Sequence, residues 1–272
     1  MANIGVCIET FFGNLDYEDR IKKIHELGFK NYEFWFTDKR YDGSSLTDEI
    51  KDLNHIAEIN NSYGMTCTDF VFNHPDGGVI ASLIDKNDQN LLLENIEKPI
   101  EMAKQIKCKK LITTSGNKIP GISEKEAMSN MIENLKKLAP ICEKSGITLL
   151  LELFNTKVDH PDYFLDDPQM CFEIIKAVDS PNVKMLFDIY HVQIMTGNVT
   201  ELICKNIQYI GHFHIAGVPG RHEPDDCELN YLYIVREINK LPYNGNIGLE
   251  YWPSIDSSES LKRIKNYFGE LI

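Results

Sequence analysis

Four apolar runs in the second half of the chain each end on a carboxylate or an imidazole, and this pattern narrows the fold more than any other feature. The runs are residues 148–152, 184–188, 210–214 and 246–250, ending on Glu152, Asp188, His214 and Glu250. Their polar ends fall 36, 26 and 36 residues apart. A strand with its returning helix takes about 30 residues, so each end fits the carboxyl end of a successive parallel strand. Residues i and i+2 of a strand share a face, which points Leu150 and Glu152 inward together. A buried carboxylate is costly unless it is paired or bound to a cation. One such residue is most simply a helix cap or a surface ion pair. Four in series predict a shared divalent-metal site built from Glu152, Asp188, His214 and Glu250. A set rich in oxygen with one imidazole suits Mn²⁺, Mg²⁺ or Co²⁺ better than structural zinc.

The rest of the chain alternates in the same way. Strand-like runs at 3–8, 31–36, 65–72 and 109–114 precede the four above. Helical periodicity covers 17–27, 46–63, 91–106, 125–144, 164–178, 199–206, 231–241 and 258–271. Gly28, Gly64 and Gly146 read as helix stops and Ser123 as an N-cap. Eight strands alternating with eight helices predict an α/β fold, a (β/α)8 TIM barrel forming a single domain over residues 1–272. The polar stretches 37–45, 73–78, 155–162 and 219–230 each follow a strand, which puts them over the catalytic end of such a barrel.

Composition excludes some partners. The formal net charge of −13 disfavours nucleic acid and anionic membranes, both of which repel an acidic surface. No run reaches the roughly 18 apolar residues that span a bilayer. Seven scattered cysteines without CxxC spacing read as reduced thiols, which predicts a cytoplasmic protein. The expected partner is a small molecule, with self-association left open. Glu152 and Glu250 come from strands separated by two others and are read as an acid/base pair flanking that substrate. With a metal holding both oxygens of a hydroxy-carbonyl group, they would move a proton at a carbon next to the carbonyl. Trp35 and His74 are candidate pocket residues. His212 reads as a buried partner of His214, and His222 and Glu223 as residues that either shape their loop or support the site.

Five segments resemble the hydroxypyruvate isomerase family of xylose-isomerase-like barrels. They are Leu-Leu-Leu-Glu-Leu-Phe-Asn-Thr-Lys-Val-Asp-His-Pro-Asp-Tyr-Phe-Leu at 149–165, Phe-Asp-Ile-Tyr-His-Val-Gln-Ile-Met at 187–195, Gly-Arg-His-Glu-Pro at 220–224, Glu-Leu-Asn-Tyr at 228–231 and Gly-Leu-Glu-Tyr at 248–251. The family is similar to the ketose 3-epimerases in its metal site. The resemblance implies the same four metal ligands and the same acid/base pair, Glu152 and Glu250. It also implies that His191 and Arg221 hold substrate oxygens, and that Glu33, in the family's Tyr-Glu-Phe pattern, joins the substrate contacts. Segments 8–12, 35–38 and 73–78 depart from the family pattern, and no Gly-Glu-Arg-Gly loop follows the third strand. The expected activity is a metal-dependent isomerase of a small hydroxy-oxo acid or sugar. The alternatives are a ketose 3-epimerase, a lyase or deglycosidase using similar proton abstraction, and a non-catalytic carbohydrate-binding barrel.

Overall fold

Nearly every strand pairs in parallel with the strands before and after it in the chain, and the ladder returns to its start. The computed structural model describes residues 1–271. The barrel strands are Asn3–Cys7, Asn31–Glu33, the two pieces Thr66–Cys67 and Phe70–His74, then Lys110–Thr114, Thr148–Glu152, Val183–Asp188, Ile210–Ile215 and Asn246–Leu249. The first strand pairs with both the second and the last, closing one side of the ring. The third strand is interrupted at Thr68-Asp69. Its first piece pairs with the second strand and its second piece with the fourth. Backbone bonds from Thr68 N to Tyr32 O (2.8 Å) and from Val71 N to Trp35 O (2.8 Å) carry the ladder across the break. The predicted barrel is therefore the observed one.

The barrel interior is divided. Strands three to six fill their side with Val71, Ile112, Leu150 and Leu186, an aliphatic cluster separate from the main core between strands and helices. The opposite side holds Glu33, Asp69, His212 and His214, all buried. Gly248 makes room for them: a Cβ there would lie 2.1 Å from Glu33 Oε1. Two residues above Leu150 and Leu186 on the same faces come Glu152 and Asp188, as the period of two requires.

Several helices differ from the sequence expectation, each for a local reason. The helix expected over 46–63 is Leu53–Tyr63, because the Asp52 carboxylate caps the amides of Asn54 and His55. The preceding residues form a hairpin, Lys39–Tyr41 against Leu46–Asp48, whose turn is set by Asp42 accepting from Ser44 N and Ser45 N. The expected 91–106 helix is Gln89–Asn95 followed by Glu97–Gln105. Pro99 lacks the amide that would bond Asn95 O, and its ring crowds that carbonyl. The helix expected from 164 starts at Pro168 behind the Asp167 cap. A short helix unforeseen in the sequence, Ile189–Met195, begins directly on the Asp188 carboxylate, which caps Tyr190 N.

A buried charge knot positions the mouth. Arg20, fully buried, donates to the carbonyls of Ile8, Gly13, Leu15 and Tyr41 at 2.8–3.0 Å. Glu9 accepts from Tyr17 Oη (2.5 Å), Trp35 N (3.3 Å) and Tyr41 N (3.4 Å), with Lys51 Nζ 3.3 Å away. These bonds tie the first loop, the first helix and the hairpin together and so place Trp35 and Tyr41 over the barrel. Replacing Arg20 with Met leaves four carbonyls without their donor and removes the cation 3.9 Å from Glu9. The expected loss is about 3–5 kcal/mol, read as a lower urea midpoint at unchanged slope.

Candidate metal centre

The four strand-end residues converge. Glu152 and Asp188 close the fifth and sixth strands, His214 lies one residue from the end of the seventh, and Glu250 follows the eighth. One ligand atom of each lies within 4.8 Å of the others. His214 Nδ1 is 3.4 Å from Glu152 Oε1 and 3.3 Å from Glu250 Oε2. All four are at most 6% exposed. Glu152 Oε1, Asp188 Oδ2 and His214 Nδ1 have no hydrogen-bond partner. Three buried carboxylates beside one imidazole, with donors left unsatisfied, are compatible with a divalent ion that would complete and neutralise the set.

The two glutamates are held differently. Trp35 Nε1 donates to Glu250 Oε1 at 2.7 Å, and Arg221 Nη2 donates to Glu250 Oε2 at 2.5 Å. The same Arg221 nitrogen is 3.6 Å from Asp188 Oδ2, and the guanidinium lies over the Tyr190 ring. Burial raises the Glu250 carboxyl, but His214 and Arg221 outweigh it and hold it below the ordinary range. Glu152 lacks such clamps, and burial pushes it up, as it does Asp188.

Expected substrate contacts divide into two groups. Trp35, His74 and Arg221 line a cavity of about 380 Å³ above the cluster, whose floor includes Glu152 and Glu250. Glu33 and His191 are not on its wall, contrary to the sequence expectation. Glu33 lies beneath the cluster, its Oε1 3.1 Å from His214 Nε2 and its Oε2 3.0 Å from His212 Nε2. Neither Glu33 Oε1 nor His214 Nε2 completes a hydrogen bond there, while His214 Nδ1 faces Glu152 and Glu250. His191 is fully buried behind Asp188. Its Nδ1 accepts from Asn155 N at 3.2 Å, which puts its proton on Nε2, 3.4 Å from Asp188 Oδ2.

Some residues of the site went unnoticed in the sequence. Trp252 and Phe154 form walls of the cavity, with Trp252 packed edge-on against Trp35. Trp252 stands two residues after Glu250, so the period of two could have found it. Glu223 shapes its loop: it is buried and accepts from Ser254 N (3.0 Å) and Ser260 Oγ (2.8 Å). His222 receives the same assignment through its contact with Trp252 O at 2.8 Å.

Residues 21–267 match the family model described as "Xylose isomerase-like TIM barrel". A protein named putative hydroxypyruvate isomerase from Xenopus laevis is 30% identical over 94% of this chain and 93% of its own. The chain belongs to the hydroxypyruvate isomerase family of xylose isomerase-like barrels. It is an isomerase. A 2-oxo-tetronate isomerase of Pectobacterium atrosepticum is 27% identical over 96% of both chains. Among solved structures, one titled AP endonuclease, family 2, from Brucella melitensis superimposes with a TM-score of 0.86 and 30% identity, covering 98% of this chain and 99% of that one.

Because the Glu33 carboxylate lies 3.1 Å behind His214 Nε2, Glu33→Gln is expected to weaken Mn²⁺ binding by about 10–100-fold. Isothermal titration of the variant against the parent checks this. An unchanged dissociation constant would remove Glu33 from the support of the cluster.

Proposed function

We propose that the chain is a divalent-metal-dependent isomerase of a small hydroxy-oxo acid, acting by proton transfer between adjacent carbons, with Glu152, Asp188, His214 and Glu250 as the metal ligands. The observation that carries this reading is the double clamp on Glu250. Trp35 and Arg221 fix both of its oxygens beside a second, unclamped glutamate. When bound, Mn²⁺, Mg²⁺ or Co²⁺ would supply Lewis-acid stabilisation to the hydroxyl and carbonyl oxygens of the substrate.

Glu250, ionised and aimed, takes the proton from the hydroxyl-bearing carbon. The electron pair left behind forms the double bond of an enediolate, and the carbonyl π pair moves onto its oxygen. Glu250 returns that proton, or one exchanged with solvent, to the former carbonyl carbon. Glu152 relays the hydroxyl proton to the former carbonyl oxygen, so the carbonyl moves by one carbon and both carboxylates end as they began. Arg221 and His74 orient the substrate from the wall, and the Trp35 and Trp252 rings exclude water. Names of the relatives, hydroxypyruvate isomerase and 2-oxo-tetronate isomerase, support a three- or four-carbon hydroxy-oxo acid.

A second reading, a ketose 3-epimerase, is favoured by two features of the cavity. Its volume of about 380 Å³ exceeds what so small an acid fills. Its one arginine already shares its charge with Glu250 and Asp188 through Nη2, before any substrate carboxylate binds. The free thiols and the lack of any long apolar helix among the described residues support the expected cytoplasmic setting without requiring it.

A product screen in deuterium oxide with Mn²⁺, Mg²⁺ and Co²⁺, across hydroxypyruvate, tetronate-type oxo acids and ketoses, separates the readings. A moved carbonyl with solvent deuterium on the neighbouring carbon supports isomerisation, whereas an inverted hydroxyl with deuterium on its own carbon supports epimerisation. Glu250→Gln should lower kcat by at least about 100-fold with the fold intact by circular dichroism. Full activity in that variant would remove Glu250 from the chemistry.

A further inference from the structure

We propose that a second divalent cation binds inside the barrel, beneath the first cluster, held by Asp69, His212 and Glu33. The three residues come from the third, seventh and second strands and are 0%, 0% and 2% exposed. His212 Nε2 is 3.0 Å from Glu33 Oε2 and 3.4 Å from Asp69 Oδ2. An ion about 2.0–2.2 Å from each donor has neighbouring ligands about 2.9–3.5 Å apart, so these separations match the edges of a coordination shell.

Asp69 gives the independent sign of a ligand. It is wholly buried where the third strand is interrupted, and neither of its carboxylate oxygens has a hydrogen-bond partner. Among the described residues, no lysine or arginine nitrogen lies within 4.0 Å of Asp69 or Glu33. Nearby, the Lys110 ammonium is committed to Gly211 O at 2.9 Å. His212 cannot satisfy both acids alone. Its Nε2 already pairs with Glu33 Oε2 at 3.0 Å, and both Asp69 oxygens stay unpartnered. A cation between the acids would fill that gap.

The composition of the donor set selects the ion. One imidazole with two carboxylates in a closed, dry space suits a Zn²⁺- or Mn²⁺-sized transition ion rather than Ca²⁺, which needs six to eight oxygens. His214 Nε2, 3.1 Å from Glu33 Oε1 and also without a hydrogen bond, borders the same site, while its Nδ1 faces the upper cluster. Glu33 thus lies between the two levels: one oxygen would bind the lower ion and the other approaches His214 of the upper cluster. Gly248, where a Cβ would strike Glu33, leaves the space for that carboxylate.

The test is ion content. Wild type, Asp69→Asn and Glu152→Gln are expressed in medium supplemented with Zn²⁺ or Mn²⁺, because donors this buried load as the chain folds. Metal per chain is then measured by inductively coupled plasma mass spectrometry. Two ions are expected in wild type and one in each variant. Asp69→Asn retaining the wild-type count with both metals overturns the lower site. Loss of one ion in Asp69→Asn with no loss in Glu152→Gln keeps the lower site and removes the upper one, so the two readings fail separately. If Asp69→Asn does not fold, His212→Gln is scored by the same count. Anomalous diffraction from wild-type crystals decides independently: a peak between Asp69, His212 and Glu33 supports the site, and its absence overturns it.

Discussion

Five buried carboxylates lie within and above this barrel beside three imidazoles and one guanidinium. Glu33, Asp69, Glu152, Asp188 and Glu250 are each at most 6% exposed. Leaving even one uncompensated ion at such depth costs several kcal/mol, a large share of the net stability of a domain. The interior is organised around that constraint. Beneath Glu152 and Asp188, strands three to six pack Val71, Ile112, Leu150 and Leu186, which exclude water. The side that carries the acids gives up packing instead, with glycine at 248 where a larger residue would displace Glu33. Dry walls strengthen each charge interaction across the polar side, and they make each unpaired donor there more costly.

Charge compensation also distinguishes two chemically identical residues. Glu152 and Glu250 lie at equal distance from His214 Nδ1, within a tenth of an ångström. Trp35 and Arg221 nevertheless hold Glu250 ionised and fixed, while burial raises Glu152. Two carboxyls held so differently in one site can take separate roles beside a substrate. The asymmetry is created by the second strand and the loop after the seventh, not by the strands that carry the glutamates.

The barrel and its four strand-end donors were legible in the sequence because both rest on short-range periodicity. A period of two places Glu152 above Leu150 and His214 above His212, and regular spacing places these pairs on successive strands. What was lost depends on ring closure. Glu33 is 179 residues from His212, and nothing local signals that its carboxylate passes under His214 instead of reaching the cavity. His191 was displaced from the substrate wall by the unforeseen helix that begins at Asp188, since the apolar run through residue 195 shows no break. The helix expected over 46–63 took in the second strand of the hairpin, because Leu46, Ile50 and Leu53 happen to fall at helical spacing, whereas 37–45 was expected as a polar stretch. In the structure Ile50 is 83% exposed, so that spacing reflected no buried face.

The first half of the chain, where the resemblance to known relatives is weaker, controls the second through Trp35. Arg20 and Glu9 fix the opening loop and the hairpin, and Glu9 holds the Trp35 amide. The Trp35 indole then holds Glu250, 215 residues away. A change in the hairpin or the first loop can therefore move the base without touching any proposed ligand. Variation in those loops has two effects on the structure: it reshapes the cavity wall and it shifts Glu250. Because both act through one aromatic side chain, the wall cannot be altered at Trp35 without also altering the clamp on the proposed base.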